Sequence, residues 1–251
     1  MEPIRSTSNS LVKRLRAVAK GRDRDAILLE GERLVADAVA SGHELEFVLV
    51  REGSALDLGL EAHEVRPSVF DTLGSLKTTP DVLAVARGLV ETSYDELLER
   101  ESALIVVAAG VQDPGNLGAL ARTAEALGAS GLVTLAGGCR PEHPRALRGS
   151  MGSLLRLRQR SESQASVVRE ALDARGVRSV VAATRGGVDL HDFDWQGRVA
   201  LWLTAESGEG SFDASTMEGV TIPLAANVES LNVTQAAAVL LFAAKRTGGA
   251  L

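Results

Sequence analysis

The sequence predicts an α/β fold built on a parallel sheet that is covered by helices. The first observation is that apolar runs fit for strands alternate with helical patterns along the chain of 251 residues. The second is that runs such as 103–109 are continuously apolar, which is typical of parallel strands buried on both faces. A hydrophobic fraction of 45% beside a charged fraction of 24% excludes a disordered chain.

The N-terminal part predicts a small α/β unit of its own. A helix is predicted over 10–19, where Leu11, Leu15 and Val18 share one face. The further predicted elements are strands at 26–29, 45–50 and 82–87, a helix at 32–41 and a turn into a short helix at 66–73. The acidic segment 91–101 predicts a linker or a linking helix. We therefore expect domains over 1–92 and 102–251, with a linker over 93–101.

The alternation of strands and helices restarts in the larger domain. The predicted strands are 103–109, 131–135, 179–183, 199–203 and 220–223, and the predicted helices are 116–127, 167–175 and 233–245. Because parallel strands must be joined by a crossover connection, usually a helix, this alternation predicts one parallel sheet.

The charge is unevenly distributed. A formal net charge of −6 argues, taken alone, against a nucleic-acid partner. Residues 1–24 hold seven basic and two acidic side chains, and residues 140–160 hold six basic and one acidic. Each stretch therefore carries +5, which leaves −16 on the remainder. One such stretch is typical of a solvated helix face, whereas two arginine-rich stretches keep binding to a polyanion open.

Several classes of protein are excluded by simple patterns. No run of apolar residues is long enough for a transmembrane helix, and the N-terminal residues lack the apolar core of a secretory signal. The expected compartment is the cytoplasm. Cys139 is the only cysteine, so an internal disulfide is impossible. The histidines and this cysteine show no zinc-ligand spacing, so we expect no metal site.

Three polar blocks follow predicted strands, where α/β folds bind ligands. The block at 113–124 joins a strand to a helix: Asn116 can cap the helix, Gly118 permits close backbone approach, and Arg122 follows as a catalytic or merely solvated cation. The pattern G-x-G-x-x-G and the phosphate-binding G-K-[ST] are both missing, which disfavours a dinucleotide or phosphate-loop enzyme.

The second and third blocks each have two interpretations. In 201–210 a strand enters a glycine-rich turn with Glu206 and Glu209, which are either an acid/base pair or ordinary solvated carboxylates. In 222–234 a polar loop leads into an apolar helix. There Ser230 and Asn232 are either site residues or, for Asn232, a helix cap.

Together, the blocks resemble the SpoU (TrmH-like) branch of the SPOUT methyltransferases. The family pattern N-x-G-x-x-x-R-[ST]-A is matched at 116–124, the glycine-glutamate turn at 204–210, and I-P-M-x-G-x-x-x-S-L-N-V-S at 222–234. A fourth segment, from Arg148, is similar to the family's R-x-S-x-G-x-x-x-R-L. The resemblance covers about 103–247, and the N-terminal part is similar, more weakly, to the family's ribosomal-protein-like RNA-binding domain.

The resemblance implies transfer of a methyl group from S-adenosylmethionine to a ribose 2′-hydroxyl of RNA, with ribosomal RNA favoured over transfer RNA. It also implies a C-terminal deep trefoil knot, an exception to the usual absence of knots, and a homodimer without metal or membrane. The implied catalytic residues are Arg122, Asn116, Glu206, Ser230 and Asn232.

The implied binding residues form two groups. The cofactor would be held by Thr184, Leu203, Thr204, Ala205, Gly208, Gly210, Ile222, Leu224, Leu231 and Asn232. The RNA would be held by Arg5, Lys13, Arg14, Arg16, Arg33, Arg145 and Arg148.

Two positions depart from the family pattern. Thr204 and Ala226 stand where the family usually has glycine, and a side chain at a backbone-lined wall narrows a pocket. A non-catalytic RNA-binding or ribosome-assembly factor on the same fold is therefore the alternative hypothesis.

Overall fold

Two sheets organise the chain in the computed structural model, which describes residues 2–23, 25–55, 59–74, 79–204 and 214–248. The N-terminal sheet consists of β1 (Ala26–Glu30), β2 (Leu45–Arg51), β3 (His63–Val65) and β4 (Val82–Arg87). Its strand order is β1-β4-β2-β3, in which β4 runs antiparallel to β1 and β2, and β3 runs parallel to β2. The three predicted strands are present, whereas β3 is too short to produce a readable pattern.

The C-terminal sheet has seven described strands, all paired in parallel. They are β5 (Ala103–Ala109), β6 (Gly131–Leu135), β7 (Gln159–Glu162), β8 (Arg178–Ala183), β9 (Val188–Asp189), β10 (Arg198–Thr204) and β11 (Glu218–Thr221). Their order is β7-β6-β5-β10-β8-β11-β9. The predicted parallel sheet is thus confirmed. Its edge strands β7 and β9 were not predicted, because one is wholly polar and the other has two residues.

Helices cover both sheets. They are α1 (Ser10–Ala19), α2 (Glu32–Ala40), α3 (Pro67–Phe70), α4 (Tyr94–Leu97), α5 (Pro114–Ala126), α6 (Pro144–Gly149), α7 (Ser153–Arg156), α8 (Ala165–Asp173) and α9 (Val233–Gly248). In α1 the buried face is Val12, Leu15 and Val18, so Val12 replaces the predicted Leu11. None of the described helices is long and apolar enough to cross a membrane.

The cap of α5 corrects a sequence prediction. Asn116 does not cap this helix, because the helix begins at Pro114 and the Asp113 carboxylate accepts a hydrogen bond from the Asn116 backbone N–H at 2.9 Å. Proline at the first helical position has no N–H to leave unsatisfied, which moves the helix start two residues upstream. The Asn116 side chain is therefore free of the capping role.

The two sheets share one hydrophobic core. A single cluster joins residues of β1, such as Ile27 and Leu29, to residues of α5, α6, α7 and α9, such as Leu117 and Leu154. Separate clusters lie under α1 on the outer face of the N-terminal sheet and under α4 and α8 on the outer face of the large sheet. The order of layers is α1, small sheet, central helices, large sheet, and α4 with α8.

Helix α5 lies close to the backbone of α6 at Gly118. A Cβ atom added there would lie 2.5 Å from the Ala146 carbonyl oxygen and 2.8 Å from the Ser150 nitrogen. These neighbours are backbone atoms, which cannot rotate away as a side chain can. The close approach expected of Gly118 from sequence is therefore present, and its partner is α6.

We predict that Gly118→Ala lowers the free energy of unfolding by about 1–3 kcal/mol, the usual cost of overpacking a fixed site. Gly149→Ala is the matched control, since its added Cβ would meet only ordinary contacts of 3.7 Å or more. Urea denaturation of the two variants measures the difference. Equal stability of the two variants would contradict the assigned backbone contact.

Candidate functional site

A cavity of about 640 Å³ lies at the carboxyl ends of β8, β10 and β11, beside α9. This is the edge at which open parallel sheets bind ligands. Its lining residues are Val181, Ala182, Ala183, Thr184, Arg185, Gly186, Leu203, Thr204, Ala214, Met217, Gly219, Val220, Ile222, Leu224, Ser230, Leu231, Val233, Ala236 and Leu240.

The cavity gathers residues from two of the sequence blocks. Seven residues proposed from sequence line it: Thr184, Leu203, Thr204, Ile222, Leu224, Ser230 and Leu231. The proposed residues Ala205, Glu206, Gly208 and Gly210 lie outside the described residues. Sequence reasoning missed the wall from α9, where Val233, Ala236 and Leu240 recur at helical spacing.

The cavity wall combines aliphatic side chains with small residues. Leu203, Ile222 and Leu231 supply apolar surface, whereas alanines and glycines expose backbone. At Gly219 an added Cβ would lie 3.1 Å from the Ala183 Cβ and 3.2 Å from the Gly187 Cα, so β11 runs close to its neighbours there. Such a wall suits a ligand recognised by shape and by main-chain hydrogen bonds.

The two departures from the family pattern differ in position. Thr204 is half-buried and lines the cavity, whereas Ala226 is exposed and is not part of its wall. The cavity retains about 640 Å³ with Thr204 in place. The expectation that both residues narrow the pocket therefore does not hold for Ala226.

Arg122 lies on α5, outside the cavity wall. Its side chain is exposed, and within the described part of the chain it makes no hydrogen bond or ion pair. Asn116 is half-buried on the same helix and also does not line the cavity. None of the described carboxylates therefore pairs with the Arg122 side chain.

Asn232 is the N-cap of α9, which matches one of its two interpretations from sequence. Its side-chain oxygen accepts hydrogen bonds from the Thr234 backbone N–H at 2.9 Å and from the Thr234 hydroxyl at 2.7 Å. Asn232 is exposed and is not part of the cavity wall. The preceding Leu231, which does line the cavity, is therefore held at the start of a capped helix.

The loops after β5 and β6 contain no activated nucleophile among their described residues. Burial is the main cause that raises the pKa of the Cys139 thiol to about 11. Desolvation lowers the pKa of His143, and its neutral Nδ1 accepts a hydrogen bond from the Arg145 backbone N–H at 3.1 Å. Both groups are therefore uncharged at neutral pH, and His143 acts as the cap of α6.

The described basic side chains of residues 2–23 differ in exposure. Arg5 and Lys13 are exposed, as is Arg33 on α2. Arg14 and Arg16 are half-buried. Arg14 pairs with Glu46 and Asp23, which raises its pKa. Arg16 donates a hydrogen bond to the Thr72 hydroxyl at 2.7 Å.

The six arginines of residues 140–160 all have carboxylate partners. The pairs are Arg140–Glu142, Arg145–Asp113, Arg148–Glu30, Arg156–Glu125, Arg158–Glu99 and Arg160–Glu162, with N–O distances from 2.6 to 3.9 Å. Four of the partners are distant in sequence from the stretch. The charge of +5 on residues 140–160 is therefore balanced mainly by carboxylates that come close only when the chain folds.

In a comparison with protein-family models, residues 103–242 match the SpoU rRNA Methylase family. This match covers the strands of the C-terminal sheet, the cavity and α5. It lies within the region of the sequence resemblance.

Similar proteins extend over nearly the whole chain. The chain is 32% identical to an uncharacterized tRNA/rRNA methyltransferase of Synechocystis sp., over 97% of this chain and 93% of that protein. It is 29% identical to the 23S rRNA (guanosine(2553)-2'-O)-methyltransferase RlmP of Bacillus subtilis, over 96% and 98% of the two chains. The crystal structure of the SpoU methyltransferase AviRb from Streptomyces viridochromogenes, in complex with AdoMet, superposes with a TM-score of 0.84 at 26% identity. It covers 95% of this chain and 97% of AviRb.

We predict that Asn232→Ala destabilises the start of α9 by about 1 kcal/mol, because two hydrogen bonds to the cap oxygen are lost. Asn232→Asp is the control, since it retains an acceptor oxygen at the same position. Thermal unfolding of the two variants provides the measurement. A larger loss for the aspartate variant would rule out the capping role.

Proposed function

Since the chain belongs to the SpoU rRNA methylase family, it transfers a methyl group from S-adenosylmethionine to a ribose 2′-hydroxyl of ribosomal RNA, and we propose which residues perform this reaction. The observation that carries the assignment is the cavity at the carboxyl ends of β8, β10 and β11, with walls from the second and third sequence blocks. The relative RlmP is named for 23S rRNA, so we propose large-subunit ribosomal RNA as the substrate.

S-adenosylmethionine fits the cavity in size and in chemistry. A volume of about 640 Å³ lies within the range of small-molecule sites, roughly 300–1,000 Å³. We propose that Leu203, Ile222, Leu224 and Leu231 enclose the adenosine, with Thr184, Thr204 and Ser230 as polar contacts. When bound, this cofactor supplies an electrophilic methyl group on a sulfonium. Ala205, Gly208, Gly210 and Asn232 complete the proposed cofactor site.

Arg122 is the proposed catalytic cation. Because a guanidinium is a cation and a poor proton acceptor, we assign Arg122 to stabilising negative charge that develops on the ribose oxygen rather than to acting as a base. The absence of a described internal partner supports this role, because the charge is available to RNA. Asn116 orients the ribose or Arg122, Glu206 organises the active loop, and Ser230 and Asn232 complete the site.

RNA recognition is proposed for the exposed basic residues of the N-terminal part. Arg5, Lys13, Arg14, Arg16 and Arg33 contact the phosphate backbone. Arg145, whose side chain is exposed beside Asp113, adds a further phosphate contact. The exposure of Arg5, Lys13 and Arg33 supports the proposal. The arginines of residues 140–160 already have carboxylate partners, which favours the N-terminal part as the main RNA-binding surface. Binding through such contacts weakens as salt rises. An aromatic stacking surface is disfavoured, because only 3% of residues are aromatic.

We also propose a cytoplasmic homodimer with a trefoil knot in the C-terminal segment. Strand β10 lies between β5 and β8, and β11 pairs with β8 on its other side. Helix α9, which follows β11, packs against α5. This path of the chain is compatible with a threaded C-terminal segment. Val239 and Phe242 on α9 are 39% and 55% exposed, so this helix has an apolar face for a second copy. The boundaries 1–92, 93–101 and 102–251 are retained as the proposed domains.

Arg122→Ala should lower kcat by about 100- to 1,000-fold, the usual loss when one preorganised donor to a developing oxyanion is removed. Its affinity for S-adenosylmethionine should be unchanged, because Arg122 lies outside the cavity wall. Arg169→Ala on α8 is the control, because this half-buried arginine pairs with Asp173 on the opposite face of the large sheet. Methyl transfer to ribosomal RNA at the normal rate by Arg122→Ala would exclude the catalytic role.

Thr184→Trp should weaken cofactor binding at least tenfold. Thr184 lines the cavity and is exposed, so a large ring obstructs the site without disturbing the core. Val188→Trp is the control at an exposed position outside the cavity wall. Calorimetry measures both, and the wild type is expected to bind in the micromolar range, about −8 kcal/mol. Wild-type protein that binds no cofactor at millimolar concentration would instead support a non-catalytic RNA-binding factor.

A further inference from the structure

Arg148, assigned to RNA from the sequence, forms an ion pair between the two sheets. Its Nη1 donates to the Glu30 Oε2 at 2.8 Å, and Glu30 is the last residue of β1 in the small sheet. The Glu30 side chain is 1% exposed, whereas the Arg148 side chain is 32% exposed. A carboxylate buried to this degree requires its cation, since an unpaired buried charge is strongly destabilising. The pair therefore fixes β1 against α6.

Helix α6 also packs against α5, the helix that carries Arg122. Gly118 packs against the backbone of Ala146 and Ser150 in and after α6, and Arg122 follows Gly118 by one helical turn. Arg148 lies between those two contact points in sequence. A displacement of α6 is therefore transmitted to α5 by backbone contact.

A close approach and a hydrogen bond join the N-terminal unit to the adjacent α7. A Cβ added at Gly152, whose φ is +85°, would lie 2.6 Å from Asp37 Oδ2 of α2 and 2.5 Å from Arg156 Nη1. Arg156 in turn makes a two-pronged pair with Glu125 of α5, with N–O distances of 2.7 and 2.8 Å. His43 Nε2 lies 2.9 Å from the Leu155 carbonyl oxygen.

We propose that Arg148 and Glu30 are positioning residues, which hold the RNA-binding unit at a fixed distance and orientation from Arg122. This inference rests on the proposed function and specifies how the substrate is presented to the site. RNA bound to the N-terminal unit then reaches Arg122 in one orientation. The segment from Arg148 to Arg156 maintains that orientation, because it contacts both the N-terminal unit and α5. Arg148 contributes through Glu30 and α6 rather than through a phosphate contact.

Glu30 makes the test decisive, because a buried carboxylate cannot itself bind RNA. If Arg148 contacts phosphate directly, Glu30→Gln releases it and RNA binding stays equal or becomes stronger. If the pair is a positioning device, Glu30→Gln and Arg148→Gln have the same effect. The substrate probe is ribosomal RNA prepared from cells that lack this enzyme, with tritiated S-adenosylmethionine as methyl donor.

The positioning role predicts that both variants lower kcat by about 10- to 100-fold, the effect of a small misplacement of reacting groups. The KM for RNA and the salt dependence of RNA binding should stay near the wild-type values, whereas loss of a direct phosphate contact lowers the salt slope by about one. The double variant should be no worse than either single variant. Arg148→Lys, which retains the charge, should recover part of the rate.

Glu162→Gln is the matched control for stability. Glu162 is also largely buried, at 13% side-chain exposure, and pairs with Arg160 at 2.6 Å, but both residues lie in β7. It should lower the melting temperature while leaving kcat near the wild-type value. Hydrogen exchange should quicken in α2 and α6 of Glu30→Gln but not of Glu162→Gln. If Glu30→Gln does not fold, the kcat and salt slope of Arg148→Lys and Arg148→Gln decide the question.

Three results would overturn the positioning role: normal kcat in Glu30→Gln, a salt slope reduced only in Arg148→Gln, or an equal fall in kcat for Glu162→Gln. A wild-type protein that methylates no ribosomal RNA would contradict the proposed function instead. The two failures are therefore distinguishable, because normal methylation by wild type and Glu30→Gln together removes the positioning role alone.

Discussion

The contact of α5 with α6 at Gly118 is the constraint on which the central layer depends. Backbone meets backbone there, so neither helix can move without displacing the other. Helix α5 reaches α9 and the large sheet, whereas α6 reaches β1 of the small sheet. Because both helices contribute to one apolar cluster, the two sheets share a core rather than being joined only by a linker. The domain boundaries proposed from sequence therefore describe chain segments that are packed tightly together.

The site divides its work between two neighbouring elements. The cavity at the ends of β8, β10 and β11 is lined by aliphatic and small residues, which suits binding. The proposed catalytic charge lies on α5, outside that wall, where no described carboxylate neutralises it. Packing of α9 against α5 holds the two in one arrangement. Binding and charge stabilisation are thus supplied by separate surfaces whose relative position is fixed by helix packing.

Ion pairing changes the meaning of the charge pattern. Counted along the sequence, residues 1–24 and 140–160 are equally basic. In the fold, every arginine of the second stretch faces a carboxylate, whereas Arg5, Lys13 and Arg33 remain exposed. Much of the second stretch therefore braces α5, α6 and β7 against their neighbours. The exposed basic residues of the first stretch retain a positive electrostatic potential, which attracts a polyanion.

The sequence by itself determined the alternation of strands and helices, the parallel sheet, and the three blocks that meet around the cavity and α5. These features follow from local periodicity and from short motifs, which a linear chain displays directly. Only the tertiary structure decided that Asp113 rather than Asn116 caps α5, that the short strands β3, β7 and β9 complete the sheets, and that Arg148 pairs with Glu30. The partners of Arg148 and Arg158 lie 118 and 59 residues away in the chain. Residue order carries no information about such distances, so the electrostatics of a basic stretch is settled only by what folding places opposite it.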